Sequence, residues 1–185
     1  MILGLDPGLA NVGWALILHA GGLHSCGHLE THKGDQTGDA AKRLAQVMYG
    51  LSVPLLAMST GNAKDGDRVV IEWPGGAGGF QRDGASPNAR ATIQTSTTAG
   101  AVYGAAYWLL RGRTDRILTP APVSWRVALG KLWSIKPSEE AVHAVILEKY
   151  PQLTSLKKKS APHILDAVGR ALYGLHYKQP QEKRP

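Results

Sequence analysis

The sequence predicts an α/β protein with a five-stranded mixed sheet flanked by helices. Three strands in a meander open the chain, a helical pattern separates them from a fourth strand, and a second helical pattern separates the fourth from the fifth. That order joins an antiparallel meander to parallel strands.

Met1 to Asp6, Val12 to His19 and Gly22 to His32 read as the meander, with Gly21-Gly22 as the turn between the second and third strands. Ala40, Ala41, Leu44, Val47, Met48, Leu51 and Leu55 then recur at helical spacing, and Pro54 marks a kink or the helix end. Asp65-Gly66-Asp67 turns the chain into a strand over Arg68 to Trp73. Pro74 to Ser86 holds five glycines and reads as a loop. From about Asn88 to Arg111 runs a helix rich in small residues, which lets another backbone approach closely. Asp115 to Thr119 is the last strand, and Pro120 and Pro122 open the segment through Trp125 to Leu129. Ser138 caps a helix whose first turn carries Glu139 and Glu140, favourable near the positive end of the dipole, and Pro151 closes it. A final helix follows Ser160 and Pro162, and Lys178 to Pro185 reads as a disordered basic tail.

At 185 residues the expectation is one domain over 1–177, large enough for a sheet covered on both faces. Hydrophobic content of 43% is ordinary, and no run is long enough to cross a membrane. The apolar N-terminus lacks a basic leader and is interrupted by Asp6, so it reads as a strand and not as a signal peptide. The single Cys26 cannot form an internal disulfide, which fits a reducing cytoplasm. A net charge of +7, from 21 Lys and Arg against 14 Asp and Glu, favours a polyanionic partner, although many basic proteins never touch nucleic acid.

Four side chains able to hold metal arrive in three separated places. Asp6 ends the first strand at a Pro-Gly turn, Glu72 follows the β-branched run Val69-Val70-Ile71, and His163 and Asp166 are neighbours at i, i+3 on the last helix. Each has a plainer reading. Asp6 would be a turn-former, Glu72 a strand-end charge in solvent, His163 a residue near a cap and Asp166 a partner of Arg170. Those readings leave unexplained why both acidic residues follow the two most strand-like apolar runs. An ionised Glu in that place is costly unless a cation or a donor pairs with it.

On the last helix Ile164, Val168, Ala171, Leu172 and Leu175 form an apolar stripe, and His163, Asp166, Arg170, Tyr173 and Tyr177 fall opposite. The helix N-terminus should disfavour imidazolium at His163 and keep the ring neutral for metal. Three carboxylates and one imidazole can hold two divalent ions about 3.5 to 4 Å apart, one activating water and the other stabilising the leaving oxygen. Oxygen donors favour Mg²⁺, and the imidazole makes Mn²⁺ an acceptable substitute. His24, His28 and His32 share a strand face, but extended spacing sets successive members roughly 13 Å apart, too far for one zinc ion.

Three segments in this order resemble the RuvC-type Holliday junction resolvases: Leu3-Gly4-Leu5-Asp6-Pro7-Gly8 with Leu9 to Trp14, Val70-Ile71-Glu72, and His163-Ile164-Leu165-Asp166-Ala167. The resemblance implies an RNase H-like fold and a metal-dependent endonuclease that acts as a homodimer on four-way DNA junctions. It also implies products with a 5'-phosphate and a 3'-hydroxyl, and a helix over Asn88 to Arg111 near the dimer interface. Phe80, the sole Phe, matches the aromatic wedge that family members carry in this loop; the plainer reading is local packing. Lys136 matches a phosphate-contacting lysine. The chain departs nearby, with Trp125 where the family often has another lysine, so Arg126 and Lys131 join the DNA-contact candidates. Lys157, Lys158 and Lys159 would hold a DNA arm or form a solvated run. Whether a branch-migration motor is a partner is not legible.

Three rivals stay open. Another RNase H-like nuclease would act on RNA or simple duplexes, and a non-catalytic protein would only bind junctions. An actin-like phosphotransferase shares the first motif but needs a second lobe and a glycine-lined phosphate loop, which this chain lacks.

Overall fold

The computed structural model describes residues 1–31, 39–59, 66–73, 89–121 and 123–177. Its strands are β1 (Ile2–Pro7), β2 (Asn11–Ile17), β3 (Leu23–Glu30), β4 (Arg68–Ile71) and β5 (Ile117–Leu118). They form one sheet in the order β3-β2-β1-β4-β5, antiparallel within the meander and parallel from β1 through β4 to β5. The expected five-stranded mixed sheet is therefore present. Gly21, at φ +83°, makes the turn between β2 and β3, where its amide donates to the Leu18 carbonyl at 2.8 Å.

Helices α1 (Asp39–Ser59) and α2 (Ala89–Leu109) cover one face, and α3 (Ser124–Trp133), α4 (Glu139–Lys149) and α5 (Ala161–His176) cover the other. Strand alternation divides the core between them. Leu3, Leu5, Val69 and Ile71 pack with Val47, Leu51 and Val102 under α1 and α2. Ile2, Ala15, Ile17 and Val70 pack with Leu129, Ile146, Val168 and Leu172 on the other side. Asp6 and Glu72 have the parity of Ile2 and Val70, so both carboxylates belong to the α5 face.

Several sequence-based boundaries need correcting. Pro54 lies inside α1, which continues to Ser59 because burial of Leu55 and Met58 outweighs the one helix bond that proline forgoes. Ladder pairing in β4 stops at Ile71, although the Trp73 amide still donates to the Pro120 carbonyl at 3.1 Å. The fifth strand is only Ile117–Leu118, since Thr114–Arg116 winds into a 3₁₀ turn that Arg113 and Asp115 brace by a two-pronged ion pair. Ser138 does cap α4, its hydroxyl accepting from the Ala141 amide at 3.3 Å.

Two glycines let α5 lie directly on the sheet. A Cβ on Gly4 would stand 2.0 Å from the Ala167 carbonyl oxygen, and one on Gly13 would stand 1.9 Å from that of His163. At the other end of α5, Arg68 donates to the carbonyls of Gly174 and Tyr177 at 2.8 and 2.7 Å, satisfying groups the helix leaves open.

Candidate active site

The parallel register pairs Leu5 with Ile71, so Asp6 and Glu72 leave adjacent strands at the same end of the sheet. The first turns of α5 come over that end because Gly13, the antiparallel partner of Asp6, admits the His163 backbone. All four expected ligand residues meet there. His163 Nδ1 lies 2.8 Å from Asp6 Oδ2, and Asp166 faces both strand-end carboxylates across one shared cation.

That cation is Arg170, which sequence reasoning placed on the polar side of α5 and which is in fact 1% exposed. Its Nη2 is 3.2 Å from Asp6 Oδ1 and 3.5 Å from Asp166 Oδ2, and it donates to Glu72 Oε2, which also accepts from Nε at 3.1 Å. The polar side of α5 turns towards the carboxylates because α3 and α4 cover the helix. Trp125 completes the arrangement. It is fully buried, its indole nitrogen stands 3.4 Å from Glu72 Oε2, and the guanidinium carbons of Arg126 and Arg170 each lie 5.1 Å from its ring centroid. Gly169 makes room for the ring, since a Cβ there would meet Trp125 Cζ3 at 2.3 Å.

His143 and Glu139 were also missed. His143 Nε2 lies 2.8 Å from Asp166 Oδ1, and Arg126 Nη2 sits between Asp166 Oδ2 at 3.5 Å and Glu139 Oε2 at 3.6 Å. Glu139, His143 and Asp166 present ligand atoms within 4.8 Å of one another. The i, i+4 spacing of Glu139 and His143 on an expected helix was the available signal. On the far side of the site, the His28 ring stacks on His163 at 5.4 Å and its Nε2 lies 3.1 Å from Asn11 Oδ1.

The titration of the cluster follows from these contacts. The hydrogen bond with Asp6 raises the His163 pKa; burial opposes it, while the charges of Asp6 and Asp166 reinforce it against Arg170. The helix N-terminus does not set the direction of this shift, because a carboxylate in contact is stronger than a partial charge at the helix end. Burial works against ionised Asp166, yet the His143 hydrogen bond and the charges of Arg170, His143 and Arg126 hold its pKa below the ordinary carboxylate value. Desolvation likewise opposes the charge on Arg170, and Asp6, Glu72 and Asp166 together override it and raise its pKa. Burial and repulsion from His163 lower the pKa of His28.

The donor set fits a hard divalent cation. Oxygens from Asp6, Glu72 and Asp166 converge on a single positively charged nitrogen, with an imidazole in contact with one of them.

No protein-family model matches this sequence, and no curated protein does. Solved structures do, two RuvC structures among them. RuvC of Thermus thermophilus in complex with Holliday junction substrate superposes with a TM-score of 0.59 and 16% identity, over 93% of this chain and 90% of that one. A second Thermus thermophilus RuvC structure gives 0.53 and 17%, over 93% and 91%.

The chain has the RuvC fold.

On this RuvC fold the DNA-contact candidates divide. Lys131, Lys136, Lys157, Lys158 and Lys159 are exposed, and Lys159 pairs with Glu30. Arg126 turns inward to Asp166 and Glu139. Trp125, noted in the sequence as a departure from the family's lysine, is a buried ring beneath the carboxylates. Phe80, His32 and the tail 178–185 lie outside the described residues. No described helix is long and apolar enough to cross a membrane.

Proposed function

We propose that this chain is a divalent-metal-dependent endonuclease that resolves four-way DNA junctions by paired, symmetric nicks, through a single nuclease domain over residues 1–177. The observation that carries the reading is the meeting of Asp6, Glu72, His163 and Asp166, from three distant segments, at one end of the sheet of a RuvC fold.

Asp6, Glu72, His163 and Asp166 would hold Mg²⁺, with Mn²⁺ as a substitute. When bound, the metal supplies an activated water and charge stabilisation at the leaving 3'-oxygen, giving 5'-phosphate and 3'-hydroxyl ends. His163 would hold the ion through a deprotonated ring nitrogen, its proton released to solvent on binding. Asp166 stays ionised, held by His143 and Arg126. The buried walls of Trp125 and α5 limit water around the cluster and strengthen each ionic contact within it.

Lys131, Lys136, Lys157, Lys158 and Lys159 are the proposed backbone contacts, and Phe80 the proposed wedge at the branch point. A homodimer matches the two-fold symmetry of the junction and brings one site to each opposed strand. Two surface features support it. Gly100 and Gly104 of α2 have no atom of the described residues, their own helix backbone aside, within 4 Å of an added Cβ, and Tyr49, Val53 and Leu56 form an exposed apolar row on neighbouring α1. A labelled immobile junction and a linear duplex of the same sequence, each incubated with Mg²⁺ or EDTA, test the reading. Metal-dependent cutting of the junction alone is expected; equal cutting of the duplex would assign a less selective nuclease.

A further inference from the structure

We infer that Arg170 is a built-in cation standing in for the second divalent ion, so that each active site binds one metal instead of the two its donor set invites. The inference rests on the metal-nuclease reading above.

Position is the first argument. Arg170 Nη2 reaches Asp6 Oδ1, Glu72 Oε2 and Asp166 Oδ2, so an ion bridging all three carboxylates would need the place the guanidinium fills. Asp6 Oδ2 and the His163 ring are engaged with each other, not with Arg170, so they anchor one ion, which Glu72 and Asp166 complete through carboxylate lone pairs that Arg170 does not take.

Immobility is the second. Arg170 is 1% exposed on the middle of α5, and Trp125, itself fully buried, is wedged over Gly169 with its ring 5.1 Å from the guanidinium. Swinging the arginine aside for a metal would bury its charge elsewhere or displace an indole. Either is costly.

Charge is the third. Asp6, Glu72 and Asp166 carry three negative charges, which Arg170 and one divalent ion neutralise. Arg126, beside Asp166, is already offset by Glu139. A second divalent ion would leave two uncompensated positive charges in a largely buried site.

The test counts ions. Mn²⁺ is titrated into the full chain, and bound ions are counted from the loss of the free-ion electron paramagnetic resonance signal. One per chain is expected for the wild type and for Arg170→Lys, and two for Arg170→Gln once circular dichroism shows it folded. Two ions in the wild type, or one in folded Arg170→Gln, overturn the inference. If Arg170→Gln does not fold, the wild-type and Arg170→Lys counts still decide. Glu139→Gln should leave the count at one; a fall to zero would move the ion to Glu139, His143 and Asp166 and overturn the assignment. No ion bound by the wild type would instead sink the metal-nuclease reading itself, with this inference falling alongside it.

Discussion

Asp6, Glu72 and Asp166 each touch the same guanidinium nitrogen, so neutralising one leaves Arg170 paired with the other two and the cluster still balanced enough to fold. Asp6→Asn, Glu72→Gln and Asp166→Asn should each slow single-turnover cleavage by roughly three orders of magnitude, the several kcal/mol a lost metal ligand represents. Junction affinity, measured by gel shift in Ca²⁺, should stay close to the wild-type value; retained cutting by Glu72→Gln would remove that residue from the site. His163 predicts a pH dependence. Its pKa is raised in the folded, metal-free protein, so the Asp6 pair stabilises the fold fully below the unfolded value of about 6.5 and less as pH rises through the folded value. Metal needs the neutral ring, so Mn²⁺ affinity should strengthen with pH over that same range, with a proton released on binding. His163→Asp should flatten this dependence, and superimposable titrations of the two proteins would show that His163 is not a ligand. The four ligand candidates were legible because strand-end carboxylates and a helical i, i+3 pair leave a local signature. Arg170 was legible only as a partner of Asp166, since a helical wheel ranks a charged residue beside His163 and Asp166 as solvent-facing, and its other partner Glu72 lies 98 residues away in sequence.

Strands and helices were read well wherever burial has a period, as in β1, β2 and α5, and poorly where tertiary contacts set the ends. Helix α1 runs on past Pro54, where a kink or an end was expected, and the 3₁₀ turn at Thr114–Arg116 takes the first two of the five residues expected in the fifth strand. Close approach of α5 to the sheet was invisible beforehand, because glycine inside a strand has several readings. Gly13 shows what depends on it. A methyl group there would press on the carbonyl of His163, so Gly13→Ala should cost about 1–3 kcal/mol of stability as overpacking and lift the first turn of α5 off the strand-end carboxylates. Urea denaturation should show the loss, and cleavage should fall even at temperatures where the variant is fully folded. An unchanged midpoint would mean that the helix relaxes at no cost, contrary to the packing described.

The whole molecule presents a core of two layers and a surface with both a basic character and an apolar row. Tyr49, Val53 and Leu56 are 83, 69 and 54% exposed at helical spacing on α1, the helix that packs beside α2 with its open glycines. If that face joins two copies, Val53→Asp and Gly104→Arg should each convert a dimer to a monomer by light scattering, with the fold intact and junction cutting reduced far more than single-site Mn²⁺ binding. A monomeric wild type would contradict the proposed symmetry. The dimer and the DNA surface were the least legible levels, because the net charge of +7 does not say which lysines line a path, and an exposed side chain leaves no pattern until its neighbours are known. The central claim is that this RuvC fold cuts two opposed strands of a four-way junction. The direct measurement is to label each of the four strands of an immobile junction in turn, incubate with Mg²⁺, and map every nick and its end chemistry. The account predicts nicks at symmetric positions in two opposed strands, with 5'-phosphate and 3'-hydroxyl ends; nicks scattered over all four strands, or none at all, would contradict it.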